Sequence, residues 1–207
     1  MIYHSTHLFI AAKRAYQRSI DDRTEAMPAI VLATIAFECF INEITYDVSS
    51  ELWRKPIKVF MHAAAWLELF ESKHLSTLEK IEVLHFSLSG TKIDRGAQPY
   101  QDLSLLYWIR DQLIHRKPEG VGAWHPGDGD GEHEPHKFVK VLTARGIIEM
   151  SSANAPPAWS QFVLNENTAR WAFNTAVSGL RLIVELLPTS PLREIYDFKF
   201  QDTQPGA

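Results

Sequence analysis

Apolar and polar residues repeat with a helical period along most of the chain, and this pattern predicts a series of amphipathic helices. Apolar residues nearly encircle segment 26–48, which is typical of a helix in the middle of a bundle. Segment 137–148 fits a short helix or a strand equally well. The other predicted helices cover residues 5–20, 56–71, 76–87 (with a capping box from Ser76 to Glu79), 100–115, and a closing helix before Pro188.

Glycine, proline and acidic residues break the pattern between residues 117 and 136, where we predict a long irregular loop. The expected fold is therefore an all-α bundle with that loop and a long C-terminal helix. We expect one domain over residues 1–190, followed by a loosely attached tail over 191–207. Trp53, Trp66 and Trp171 lie in helical patterns and are expected in the core.

Composition narrows the classes of function. The chain has 207 residues, 45% of them hydrophobic, and a net charge of −4, which argues against broad non-specific binding to polyanions but allows a local basic site. The single cysteine, Cys39, cannot form an internal disulfide and is expected to be a small buried hydrophobe. The N-terminus does not resemble a signal peptide, and Glu38 interrupts the longest apolar stretch. We therefore expect a cytoplasmic protein with no membrane role.

Arg110 stands at an unexpected place in segment 100–115. On a helical wheel it falls in the middle of an apolar stripe formed by Leu103, Leu106, Tyr107, Leu113 and Ile114. A buried, unpaired guanidinium costs several kcal/mol or more, so Arg110 must meet a carboxylate, a phosphate or a solvated cleft. Two interpretations follow: Arg110 pairs with Glu38 on a neighbouring helix, or it is a forked donor to an anionic ligand.

His115 follows in the last turn of the same predicted helix, since Pro118 disfavours helix at Lys117. Arg110 and His115 are five residues apart and point about 140° away from each other on an ideal helix. One helix therefore makes an incomplete two-residue site. Two copies related by a symmetry axis would make a better one, and the apolar stripe gives a reason to dimerise.

The stretch Arg110-Asp111-Gln112-Leu113-Ile114-His115 resembles the signature of the HEPN superfamily. In that signature an arginine and a polar residue are followed by a histidine near the end of a helix. The preceding "IAFECFINEI" is similar to the long helix that packs beside the motif helix in such domains. The resemblance covers residues 5–187, and its specific part is the short motif.

The resemblance implies an all-α homodimer in which the two motif helices face each other. Many HEPN members are metal-independent endoribonucleases, often toxins or antiviral effectors, and others are non-catalytic RNA or nucleotide binders. Carried over to this chain, His115 would be the general base or acid, and Arg110 would stabilise charge on the phosphoryl oxygens. Asp111 would orient one of these oxygens or hydrogen-bond the RNA. The expected products are 2′,3′-cyclic phosphate and 5′-hydroxyl ends. No cofactor is expected, and an antitoxin protein is a possible partner.

Several residues are second-rank candidates for contacts with RNA. Glu38 and Asn42 are four apart and share a helix face, with Glu43 beside them. Glu38 has the alternative role of neutralising Arg110. Trp108 is a candidate for stacking a base, with core packing as the alternative, and Arg116 and Lys117 offer positive charge next to His115.

A competing site is the histidine-rich and acid-rich loop 125–136, which suggests a metal-dependent enzyme. Its "HEPH" is one residue short of the zincin pattern, and Pro135 breaks the helix which that pattern needs. Its "DGDGEH" begins like a calcium loop but has His133 in place of the required glycine. The sequence therefore favours a solvated loop, and no metal site is predicted.

Overall fold

The computed structural model describes residues 3–50, 57–71, 75–115, 137–149, 159–201 and 203. Within these ranges all the regular secondary structure is helical and no strand occurs, so the predicted all-α class is confirmed. The helices are α1 (Ser5–Arg18), α2 (Ala26–Ser49), α3 (Lys58–Glu71), α4 (Thr77–Ser89), α5 (Tyr100–Ile114), α6 (Lys137–Ala144), α7 (Trp159–Val163), α8 (Glu166–Leu186) and α9 (Pro191–Lys199), with a short 3-10 turn at Arg23–Glu25.

The predicted helix ends agree with the observed ones to within two residues. Segment 137–148, which the pattern left undecided, begins as helix α6. The capping box at the start of α4 is present: the Ser76 side chain accepts from the Glu79 backbone, and the Glu79 side chain accepts from the Ser76 backbone. At the other end of α4, Gly90 has φ 75°, the left-handed conformation that favours glycine at a helix end.

Helix α2 forms the centre of the bundle, as its apolar pattern predicts. It packs most extensively against α1 and α8, and its inward side chains are fully buried, among them Phe37, Phe40 and Ile41. Helix α8 approaches closely at Gly179, where a Cβ atom would lie 2.9 Å from both Leu103 and Phe37. A glycine is therefore required for α8 to pack against α2 and α5 at this depth.

The helical stretch Arg23–Ser49 is the one span in the described ranges with the length and apolar composition to cross a membrane. Half of its most apolar window is buried inside the protein. The core helix of a bundle has the same two properties, and α2 contacts α1, α3, α4, α5 and α8.

The segment after Pro191 differs from the predicted loose tail. It forms helix α9, in which Leu192 and Tyr196 are fully buried and Ser190 caps the first turn by accepting from the Arg193 backbone. The Tyr196 hydroxyl donates to Asp47 at the end of α2, at 2.8 Å. This helix is therefore attached to the core.

Trp66 is a second departure from expectation, because its side chain on α3 is about half exposed rather than buried in the core. Trp171 on α8 is partly buried and packs against the core. Trp53 lies outside the described residues. The helical pattern predicts a core position for these tryptophans, but it does not show where a bundle face is left without a neighbouring helix.

Candidate functional site

Arg110 extends from α5 towards α2 and lies between two carboxylates. Its Nη2 donates to Glu38 Oε2 at 3.0 Å, and its Nη1 donates to Asp111 Oδ1 at 2.9 Å. The guanidinium carbon also lies 5.4 Å from the centre of the Tyr107 ring. The predicted partner Glu38 is thus in place, which explains how an arginine fits into an apolar stripe.

The guanidinium keeps hydrogen-bonding capacity after these contacts. It has five N–H donors, of which the bonds to Glu38 and Asp111 use one on each terminal nitrogen. Its Nε is buried and has no hydrogen-bond partner in the described part of the chain. The Arg110 side chain is 19% exposed, against 41% for Glu38 and 53% for Asp111. The ion-pair cluster therefore lies at the surface, with its acids outermost.

His115 is the residue at which α5 ends. Its backbone N–H donates to the Asp111 carbonyl at 2.9 Å, and its side chain is exposed, as is that of the preceding Ile114. The hydrogen bonds of Arg110 go to Glu38 and Asp111, so a single chain does not join the arginine to the histidine. This agrees with the divergence of about 140° expected from their spacing.

Two other candidates on α2 have structural partners. The Asn42 side-chain oxygen accepts from Lys80 Nζ at 2.9 Å, which ties α2 to α4. Glu43 accepts from the backbone N–H groups of His4 and Ser5 at 2.6 and 3.0 Å, and from the Ser5 hydroxyl. Glu43 therefore caps the start of α1, satisfying donors that a helix leaves open.

Cys39 lies beside these acids on α2. It is partly buried, and its thiol is 3.4 Å from Glu43 Oε1. Burial, together with the negative charge of Glu43 and Glu38, raises the pKa of Cys39 to about 12. The residue stays a neutral thiol, which disfavours a role as nucleophile.

Trp108 lies on another face of α5 and packs against α6. Its ring makes an edge contact with Phe138 at a centroid distance of 4.1 Å, and Lys137 Nζ lies 3.7 Å from its centre. One face of the ring is thus covered by a cation and its edge by an aromatic neighbour. These contacts support a packing role for Trp108.

The remaining candidates lie outside the described residues. These are Arg116, Lys117 and the loop 125–136 with its histidines and acids. In the ranges that the structure describes, no three His, Cys, Asp or Glu side chains come together in a way that could hold a metal ion.

A cavity of about 620 Å³ lies elsewhere, between the start of α5, the turn after α6 and one face of α8. Neither Arg110 nor His115 lines it. The sequence reasoning missed this site, although a signal is present: Asn167, Asn174 and Ser178 repeat at helical spacing along α8. That repeat is indistinguishable from an ordinary solvated helix face until the turn after α6 is placed opposite it.

The chain matches no known protein family, no characterised protein and no solved structure. The all-α fold is established by the helices themselves. The resemblance to HEPN domains rests on the motif from Arg110 to His115 and on the long helix beside it.

Proposed function

We propose that the protein is a metal-independent endoribonuclease of the HEPN type that acts in the cytoplasm as a homodimer. The observation that carries the proposal is the placement of Arg110: an apolar stripe holds a guanidinium at the surface, on a helix that ends at the exposed His115. A role as the toxin of a toxin–antitoxin or phage-defence system, with an antitoxin protein as partner, belongs to the same proposal.

The two carboxylates around Arg110 support this role by orienting the guanidinium. Glu38 and Asp111 each hold one terminal nitrogen, so the planar fork is fixed before an RNA phosphate arrives. Preorganised donors stabilise developing charge at little reorganisation cost. The exposed Asp111 is placed to swing aside or to accept a hydrogen bond from the ribose when the phosphate binds.

A homodimer supplies the histidine that one chain places too far from its own arginine. Ile35 lies about one turn from Glu38 on α2, and Ile114 lies about one turn from Arg110 on α5. Both are large apolar side chains exposed to solvent. A two-fold axis through this surface would bury them and bring His115 of each copy towards Arg110 of the other.

The chemistry needs only groups of this chain. One His115 imidazole takes the proton from the ribose 2′-hydroxyl, and the 2′-oxygen attacks phosphorus. Arg110 stabilises the negative charge on the non-bridging oxygens. The bond to the 5′-oxygen breaks, and this oxygen takes a proton from the other His115, leaving a 2′,3′-cyclic phosphate and a 5′-hydroxyl. DNA lacks the attacking hydroxyl and is not cleaved.

The test is cleavage of end-labelled RNA in excess chelator by the wild type, His115→Ala and Arg110→Ala. The matched controls are His62→Ala and Arg14→Ala, which remove an exposed histidine and an exposed arginine elsewhere. We expect wild type and controls to cleave, and each motif variant to lose at least about 100-fold in rate. Circular dichroism confirms that every variant is folded.

Three results would contradict the proposal: no cleavage of several unrelated RNAs, full activity of His115→Ala, or activity that chelator removes. Activity that chelator removes would instead favour a metal-dependent enzyme that uses the loop 125–136.

A second function, a non-catalytic RNA-binding, nucleotide-binding or dimerisation module, is favoured by the ion pair itself. Arg110 and Glu38 join α5 to α2 at 3.0 Å, which a purely structural arginine would also do. This alternative predicts no cleavage and a loss of stability when Arg110 is removed.

A further inference from the structure

The cavity beside α8 has a lining suited to hydrogen bonding. One face of α8 contributes Asn167, Trp171, Asn174 and Ser178, spaced so that they form a row of about 16 Å along the helix. Gln98, just before α5, also lines the cavity. The volume of about 620 Å³ is within the range of small-ligand sites.

Among the described residues, the charged groups that line this cavity are close to balanced. The lining carboxylate in these ranges is Asp102, which forms an ion pair with Arg145 of the turn after α6. The lining cation is Arg170, which donates to the Asn167 side-chain oxygen at 3.2 Å and so orients that amide. A near-neutral site rich in carboxamides favours an uncharged group with several donors and acceptors over a bare phosphate.

Trp171 adds an aromatic side chain to the same wall. Its indole Nε1 is buried and has no hydrogen-bond acceptor in the described ranges. A second cavity, of about 380 Å³, shares Asn167 with the first, and its lining includes both Arg23 and Glu149. The hydrogen-bonding pocket therefore adjoins a second space that is lined by one cation and one carboxylate.

We propose that this cavity binds a purine base, preferentially adenine, carried by a free nucleotide or by an unpaired residue of a nucleic acid. Asparagine and glutamine each pair a donor with an acceptor, which matches the N6 and N7 edge of adenine. Unpaired bases also pack on aromatic side chains such as Trp171. The ribose would extend along the second cavity. The proposal does not depend on RNA cleavage at Arg110.

Titration calorimetry with adenosine, AMP, uridine and maltose tests the ligand class. We expect adenosine and AMP to bind, and uridine and maltose to bind at least about fivefold more weakly. Gln98→Ala and Asn174→Ala should each raise the dissociation constant for adenosine about fivefold or more. Gln98 is exposed, so its variant is expected to fold even if Asn174→Ala does not.

The matched controls are Gln101→Ala and Gln17→Ala, which remove exposed amide groups outside the cavity and should bind adenosine like the wild type. Arg110→Ala should also bind adenosine normally, whether or not the protein cleaves RNA. The proposal is overturned if neither adenosine nor AMP binds at millimolar concentration, if uridine or maltose binds equally well, or if Gln98→Ala keeps full affinity.

An oligodeoxyadenylate of about ten residues separates the two sources of the base, and it lacks the 2′-hydroxyl needed for cleavage. At least tenfold tighter binding of the oligomer than of AMP, with displacement by AMP, would identify a nucleic acid as the source. Equal or tighter binding of AMP would identify a free nucleotide.

Discussion

Arg110 and Glu38 are 72 positions apart in the chain, yet their side chains meet at 3.0 Å. Because Glu38 is 41% exposed, solvent screens the pair, and such pairs contribute at most about 1 kcal/mol to stability. The surrounding stripe is apolar. An arginine is therefore not the residue that folding alone favours at this position.

Replacing Arg110 by leucine tests that argument at the scale of one residue. We expect Arg110→Leu to be as stable as the wild type, or more stable by up to about 1 kcal/mol, because the stripe becomes continuous and Glu38 can be solvated. Urea unfolding followed by far-UV circular dichroism measures the free energy of unfolding, with Arg14→Leu as a control for the loss of a surface arginine. A loss of more than about 2 kcal/mol would show a structural role and favour the non-catalytic module.

The sequence anticipates some of these contacts and not others. The helical wheel places Arg110 in the stripe and suggests Glu38 as its partner, because both follow from local spacing and the need to pair a charge. Sequence position groups Glu43 with Glu38, whereas in the structure Glu43 caps α1. Glu43 is separated along the chain by 39 positions from His4 and by 38 positions from Ser5, so no local pattern encodes the contact.

At the scale of elements, a hydrogen bond to the buried Asp47 carboxylate attaches α9 to the bundle. Asp47 is 1% exposed, and its Oδ2 accepts from the hydroxyls of Tyr3 and Tyr196, both at 2.8 Å. Burial, with the nearby Asp47 carboxylate, raises the pKa of Tyr196 above its usual range, so its hydroxyl remains a donor. Asp47 therefore joins the N-terminal segment, α2 and α9.

Tyr196→Phe removes one of these hydrogen bonds and keeps the ring. We expect a loss of about 1.5–3 kcal/mol in the free energy of unfolding, since the bond is to a buried charged group. Phe198→Ala is the control on the same helix, because Phe198 is 72% exposed, and it should change stability by no more than about 0.5 kcal/mol. Equal stability of the wild type and Tyr196→Phe in urea would show that α9 does not depend on Asp47.

The elements that the sequence predicts well are those with a long apolar repeat. Helices α2 and α8 have 24 and 21 residues, which is enough for the period to be unambiguous. Helix α9 has nine residues and was missed, although Ser190 followed by Pro191 is a recognisable helix start. Short helices derive their stability from docking, so their existence depends on a partner surface that the local sequence does not show.

At the scale of the whole molecule, exposed isoleucines on α2 and α5 lie within about one helical turn of the Arg110–Glu38 pair. Ile35 and Ile114 are 38% and 45% exposed, and Met27 extends the exposed face of α2 at 37%. Exposed apolar side chains grouped around a charged pair are typical of an interface with a hydrophobic centre and a polar component. This is the surface that the proposed homodimer would bury.

The double variant Ile35→Glu, Ile114→Glu tests the assembly, because two like charges on each copy would face each other across a two-fold axis. We expect the wild type to have twice the 23.6 kDa chain mass by light scattering at micromolar concentration, and the variant to be monomeric. Ile20→Glu changes an isoleucine that is 58% exposed beyond the end of α1, and it should stay dimeric. A monomeric wild type would refute the homodimer. If the variant is monomeric but folded, its RNA cleavage should fall, because each copy then lacks the partner's His115.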